Sequence, residues 1–151
     1  MPISATGSDR GFTLIELIVV LAIIAVGATA VMLSLPGPER ALRDSSERLA
    51  AQAAALRDEA VMSSRPMAIR LTDGGYRFEH FDGVAWVTET DKPFRAIDLP
   101  EGMTVVAVPS GEQRIRFDTT GLADPVALSL GYQGLRRTVT VNAGGGVALG
   151  G

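Results

Sequence analysis

Hydrophobicity along the chain falls into three regimes. From Phe12 to Leu35 the sequence is apolar for 24 residues, interrupted by one ionisable side chain, Glu16. As a helix this stretch is roughly 36 Å long, enough for a bilayer core of about 30 Å. Beyond it the period becomes helical and amphipathic. Leu42, Leu49, Ala53, Leu56 and Ala60 recur at spacings of 7, 4, 3 and 4, one stripe of a helix. Glu39–Arg43, Arg40–Asp44, Arg43–Glu47 and Asp44–Arg48 are i,i+4 opposites on the other side. Such pairs serve solubility more than stability. Pro36, Gly37 and Pro38 kink or interrupt the helix between the two regimes, and Pro38 also suits the first position of a new one. Ser63, Ser64 and Arg65-Pro66 end it.

From Met67 onward the period is two. "MAIRL" and "YRFEHF" alternate, with Tyr76, Phe78 and His80 on one face and Arg77, Glu79 and Phe81 on the other. Asp82-Gly83 is a hairpin signal. "MTVVAV", "QRIRF", "VALSL", "RTVTV" and a short "VAL" follow, separated by Gly, Pro, Asp and Asn. Strands joined by such short turns predict antiparallel hairpins. The expected fold is α+β: a long N-terminal helix, then a β-rich head.

Composition changes this picture little. A chain of 151 residues suits one ordinary domain. The net charge of −3 gives no general argument for nucleic-acid binding. Cysteine is absent, which excludes a disulfide framework and thiolate chemistry. A secretory signal is the alternative to a membrane helix, and Ala28-Thr29-Ala30 fits its A-x-A cleavage site. Against it, the apolar run continues through Val31, Met32 and Leu33, and Arg10 is the only basic side chain before it. Glu16 also weakens a signal core for no gain. Near a helix centre in lipid, a carboxylate costs about 2.5–3.5 kcal/mol, and such groups tend to have partners. The plain alternative is a Glu16 close enough to the membrane edge to reach water.

The stretch "GFTLIEL", Gly11 to Leu17, resembles the class III signal of type IV pilins and type II secretion pseudopilins. A short polar leader, Gly at the cut, Phe next, Glu at the fifth mature position and an apolar run are all present. The resemblance implies that a prepilin peptidase cuts between Gly11 and Phe12 and methylates the new Phe12 amine. It also implies that Glu16 meets the Phe amine of a neighbouring subunit during assembly, setting the register of otherwise similar apolar helices. The implied layout is a leader at 1–11, a transmembrane and filament-core helix at 12–35, an amphipathic continuation at 36–66 and a periplasmic head at 67–151.

The head carries little evident chemistry. His80 is the sole histidine, and a lone histidine on an alternating strand reads as structural or surface. The "GGG" at 144–146 lacks the Lys-Ser/Thr of a phosphate loop and reads as a turn. Asp73, Asp82 and Asp118 read as turn residues, because their spacing does not suggest the converging oxygens of a calcium site. Trp86 and Phe94 either cover the sheet or form a contact surface. Arg136-Arg137 and Arg114/Arg116 are short basic pairs, read as solvated surface rather than a nucleic-acid footprint. No catalytic residue, metal site or cofactor is expected.

"LRDEAVMSSRPMAIRL", "YRFEHFDGVAW", "IRFDTTGLADPVALSL" and "RRTVTVNAGGGVAL" resemble the minor pseudopilins of the general secretion pathway protein H type (GspH/FimT-type). That resemblance implies a pilin-like fold and a non-enzymatic subunit of a type II secretion pseudopilus tip, which helps move folded proteins across the outer membrane. The partners it implies are other pseudopilins, the prepilin peptidase and the inner-membrane secretion platform; nucleic acid is not among them. The implied location is the bacterial inner membrane, single-pass, with the head in the periplasm. A minor pilin of a type IV pilus, used in adhesion, twitching or DNA uptake, is the first alternative. A membrane-anchored periplasmic enzyme or binding protein with a class III-like N-terminus is the second.

Overall fold

The structure, a computed structural model, describes residues 13–34, 37–108, 110–111 and 113–150. The chain divides into two compact units, residues 1–36 and 37–151. The first contains α1, Leu14–Ser34. The second opens with α2, Pro38–Ser63, entered through Gly37 in an extended conformation with Pro38 in the first turn. Proline is tolerated there because the first amides of a helix have no intrahelical partner. The helix ends at Ser64, whose left-handed backbone donates its amide back to the Ala60 and Val61 carbonyls.

The α2 stripe is buried as its spacing predicts, at Leu42, Leu49, Ala53, Leu56 and Ala60. Ser46 completes it and is fully buried. Its hydroxyl donates to the Arg43 carbonyl at 2.8 Å, so the buried polar atom is satisfied. Of the i,i+4 pairs, Arg43–Glu47 closes, at 2.7 Å.

Among the described residues nine strands follow: β1 Met67–Thr72, β2 Gly75–Phe81, β3 Trp86–Thr88, β4 Ile97–Asp98, β5 Thr104–Val108, β6 Arg114–Phe117, β7 Val126–Tyr132, β8 Leu135–Val141 and β9 Val147–Gly150. One sheet runs β3-β2-β1-β6, with β4 also on β2; the other runs β5-β7-β8-β9. Both are antiparallel throughout. Helix α2 touches β1 and β6 of the first sheet and β7, β8 and β9 of the second. One core therefore joins the stripe to Met67, Ile69, Phe78, Ile115 and Phe117 on one sheet and to Leu128, Leu130, Val139 and Val141 on the other. The α+β arrangement expected from the sequence is the one formed.

Strand β4 was not foreseen. It shares the outer edge of β2 with β3, pairing Gly75 with Asp98 and Tyr76 with Ile97. A Cβ on Gly75 would collide with the Ile97 carbonyl oxygen, so glycine is what lets this short strand approach. Phe94, between β3 and β4, turns inward onto Phe78, with ring centroids 5.5 Å apart.

Tyr76 ties helix to sheet: its hydroxyl donates to Gln52 Oε1 at 2.8 Å while the ring is 1% exposed. Burial pushes the phenol up from 10.0 to about 12, because a phenolate there would lose its water. With the folded value raised, the contribution is fully present below pH 10 and is lost as pH climbs towards 12. Tyr76→Phe is expected to cost about 1 kcal/mol at neutral pH. It should also flatten the alkaline loss of stability, read by urea unfolding across that range.

Candidate functional site

The first turn of α1 holds the residue on which the sequence argument rests. The Thr13 carbonyl accepts the amides of Glu16 and Leu17 at 3.1 and 3.2 Å. Its hydroxyl accepts the Glu16 amide as well, at 3.3 Å. Thr13 therefore caps the helix, and Glu16 stands at the third helical position, the spacing of a capping box. A carboxylate in the first turn faces the positive end of the helix dipole. The Thr-x-x-Glu spacing was present in the sequence and carries this local reading beside the family one. Gly11 and Phe12 lie outside the described residues.

Every described side chain of this unit, Thr13 to Ala28, is exposed. Leu14, Ile15 and Val26 are 77%, 70% and 72% exposed, and Leu17 to Leu21, Ile23 and Ile24 are exposed as well. These residues point in all directions around the axis, so α1 is apolar on every side. A helix of that kind is normally covered by lipid or by other helices. Among the described residues no helix is long and apolar enough to cross a membrane. The side chains of residues 29–34 are outside the described set, so the expected span over Phe12–Leu35 is reached only in part.

In the head, His80 Nδ1 lies 2.7 Å from a Glu89 carboxylate oxygen, both side chains largely buried. The pair links β2 to the residue after β3. Asp82 accepts the Val84 and Ala85 amides, both at 2.8 Å, and closes the β2–β3 hairpin. Those two amides, Ala85 first, hold its carboxyl below the ordinary value. Asp118 accepts from the Thr120 hydroxyl at 2.7 Å and from the Thr120 and Leu122 amides at 2.8 and 3.0 Å. This turn carries the chain from β6 in the first sheet to β7 in the second. The glycine run packs on it: Gly145 has φ +72°, and a Cβ there would strike the Gly121 carbonyl oxygen. The run therefore serves close approach as well as turning. Among the described residues, no group of three or more His, Asp or Glu is placed to hold a metal ion.

Alternation separates the basic pairs. Arg136 and Arg137 lie on opposite faces of β8, with Arg137 opposite inward-facing Leu130. Arg114 and Arg116 share one face of β6 in the other sheet.

Comparison with known proteins gives two family matches. Residues 45–145 match the model described as type II transport protein GspH. Residues 7–32 match the prokaryotic N-terminal methylation motif. Type II secretion system protein H of Pseudomonas aeruginosa is 39% identical over 77 residues, 50% of this chain and 45% of that protein. The match thus spans less than half the length of that relative. Among solved structures, the minor pseudopilin EpsH of the Vibrio cholerae type 2 secretion system superposes with a TM-score of 0.61 at 19% identity. It covers 71% of this chain and 94% of its own. The type IV minor pilin FimU of Pseudomonas aeruginosa gives 0.58 at 19% identity, over 73% and 88%. GspH of E. coli gives 0.60 at 17% identity, over 73% and 87%. These three likenesses concern the fold.

The Asp118 turn yields a pH prediction. Its hydrogen bonds, the Thr120 hydroxyl foremost, depress the carboxyl from 3.8. A depressed folded value gives stability that is present above 3.8 and lost as pH falls through the folded value. Asp118→Ala should lower the melting temperature by a few degrees at neutral pH. The gap to wild type should narrow in melts below pH 3.8.

Proposed function

The chain belongs to the type II transport protein GspH family, and from that premise we propose that it works as a minor pseudopilin of a periplasmic secretion filament. Residues 1–11 are the leader, removed by prepilin peptidase between Gly11 and Phe12, after which the Phe12 amine is methylated. Phe12–Leu35 anchors the subunit in the bacterial inner membrane and later enters the filament core. Residues 36–66 carry the amphipathic helix, and the head, 67–151, stands in the periplasm. Its work is assembly with other pseudopilins above the inner-membrane platform, near the tip of the filament, so that folded proteins cross the outer membrane. It is structural rather than catalytic.

The observation that carries this reading is α1: apolar on all sides, exposed, with its one carboxylate in the first turn. Such a helix needs a covering, and neighbouring helices of the same kind supply it with the acid as their register mark. The methylation-motif match over residues 7–32 supports the same reading.

Mass spectrometry of the protein isolated from cells tests the processing. A chain starting at a methylated Phe12 is expected; a start at Met1 or after Ala30 overturns the assignment. Glu16→Ala is expected to insert and to be cut normally, yet to be missing from sheared filaments. Normal incorporation of that variant removes the register role.

The likeness to FimU favours a second reading, a minor pilin of a type IV pilus used in adhesion, twitching or DNA uptake. A deletion strain separates the two. Lost secretion with intact twitching supports the pseudopilin, and the reverse supports the pilin.

A further inference from the structure

The outward face of the first sheet is not an ordinary solvated surface. Arg70 is directly opposite Arg77 on β2 and Arg114 on β6. Three guanidinium groups thus share one cross-strand row, an arrangement that is unfavourable for like charges. The next row holds Glu79, Ala68 and Arg116. Beyond it Phe81 pairs with Trp86, their rings 5.5 Å apart.

These side chains cover one another. Glu79 is 4% exposed and Ala68 fully buried, although both point away from the main core. Arg114 donates from Nε to Glu79 Oε2 at 2.8 Å, and its guanidinium lies over the Trp86 ring, 5.0 Å from the centroid. Arg70 is 3.8 Å from the other Glu79 oxygen. A buried carboxylate needs one well-placed cation to offset its desolvation, and Arg114 meets that need. Arg70 and Arg77 are surplus to it. Arg116 reaches Asp124 at 2.9 Å, but both are more than half exposed, so that pair contributes little.

Two open grooves adjoin on this face. One is lined by Arg70, Arg114, Arg116, Gln113 and Trp86. The other is lined by Phe81, Trp86, Leu122 and Ala123, with Asp118 and Asp124 also in its wall. Trp86 and Arg116 belong to both. The first is about 630 Å³ and the second about 480 Å³, room for a few side chains each.

We propose that this face docks an acidic protein segment, with a carboxylate on the Arg70–Arg114 side and a neighbouring bulky apolar side chain in the Phe81–Leu122 groove. Charge complementarity selects the occupant: the described residues of the two central rows hold four arginines against Glu79 and the Asp124 that reaches Arg116, a surplus of two positive charges on a chain whose net charge is −3. Guanidinium forks match carboxylates in two hydrogen bonds each. Glu79 holds Arg114 in place in advance, which lowers the entropy cost of binding. The acids in the wall of the apolar groove set the direction, since they repel a second carboxylate there. A nucleic acid fits less well, because it needs cations along a backbone track rather than one compact cluster. The inference stands on the head alone and is independent of how the N-terminus is processed.

The test uses the full chain in detergent, which covers α1, panned against a random peptide library. Enrichment of Asp or Glu beside an aromatic or aliphatic residue is expected. A synthetic peptide of that pattern should bind less tightly as salt rises. Arg70→Gln and Trp86→Ala should each weaken it at least about tenfold, and Arg136→Gln, on the other sheet, should leave it unchanged. Arg70 is exposed, only distantly paired and central in the like-charged row, so its variant should melt at or above the wild-type temperature. Enrichment of neutral or basic peptides, binding unaffected by Arg70→Gln, or tighter binding of oligothymidylate than of the peptide overturns the proposal.

Discussion

The head depends on one apolar stripe along α2. Each sheet is antiparallel and apolar on a single face, and among the described strands none pairs across from one sheet to the other. Left alone, each would expose that face to water. Helix α2 meets both, so one stripe from Leu42 to Ala60 turns two marginal sheets into one core. The small members matter as much as the leucines. Ser46, Ala53 and Ala60 are fully buried, which permits close approach of helix to strand. Tyr76 adds direction to a contact that hydrophobic burial leaves without one. Its bond to Gln52 ties one side of the helix to β2.

With both inner faces committed to α2, the outer faces are free to differ, and they do. The second sheet presents Val106, Val108, Thr138, Thr140 and a single arginine, Arg136, opposite Gly131, with Ser129 nearly covered. The first presents a row of arginines, a buried acid and an aromatic pair. The former sets no like charges opposite one another. The latter does, and like charges set directly opposite weaken a sheet. The cost is tolerated on one face only, which is where an interaction surface is to be sought.

Much of this was legible in the sequence, and what was not has identifiable causes. The α2 stripe could be read because a 3.6 period survives burial, but Ser46 was passed over because a hydroxyl does not look like core. Its satisfaction by the Arg43 carbonyl is a local bond that spacing does not advertise. Strand β4 is two residues long and exists because Gly75 has no side chain, information held 22 positions before Ile97. Alternation did imply that Arg114 and Arg116 share a face and that Arg136 and Arg137 do not. That β6 lies beside β1, bringing Arg70 and Arg77 into the same surface, is topology and has no local signal. Trp86 and Phe94 seemed equivalent in the sequence, yet one covers the outer face and the other enters the core. Of the proposed processing site, Gly11 and Phe12 are read from the sequence alone.

Glu16 is where two explanations compete, and magnitudes separate them. A carboxylate in the first turn gains about 0.3–1 kcal/mol from the helix dipole. In lipid it costs about 2.5–3.5 kcal/mol at the helix centre, and less towards an edge. The cap made by Thr13 satisfies an amide and does nothing for the charge. The dipole alone therefore leaves a deficit of up to about 3 kcal/mol. A full positive charge about 4 Å away, at an effective dielectric near 20, supplies about 4 kcal/mol, and the Phe12 amine of the proposed mature chain is such a charge. It does so best at one axial offset between neighbours, since sliding by one helical turn, about 5.4 Å, stretches a separation of about 4 Å to about 7 Å and weakens the attraction by about two-fifths. On this account the helix dipole and the intermolecular pair act in turn on one carboxylate. Before assembly the first turn holds the acid, and within the filament a neighbour's amine completes what the dipole leaves unmet.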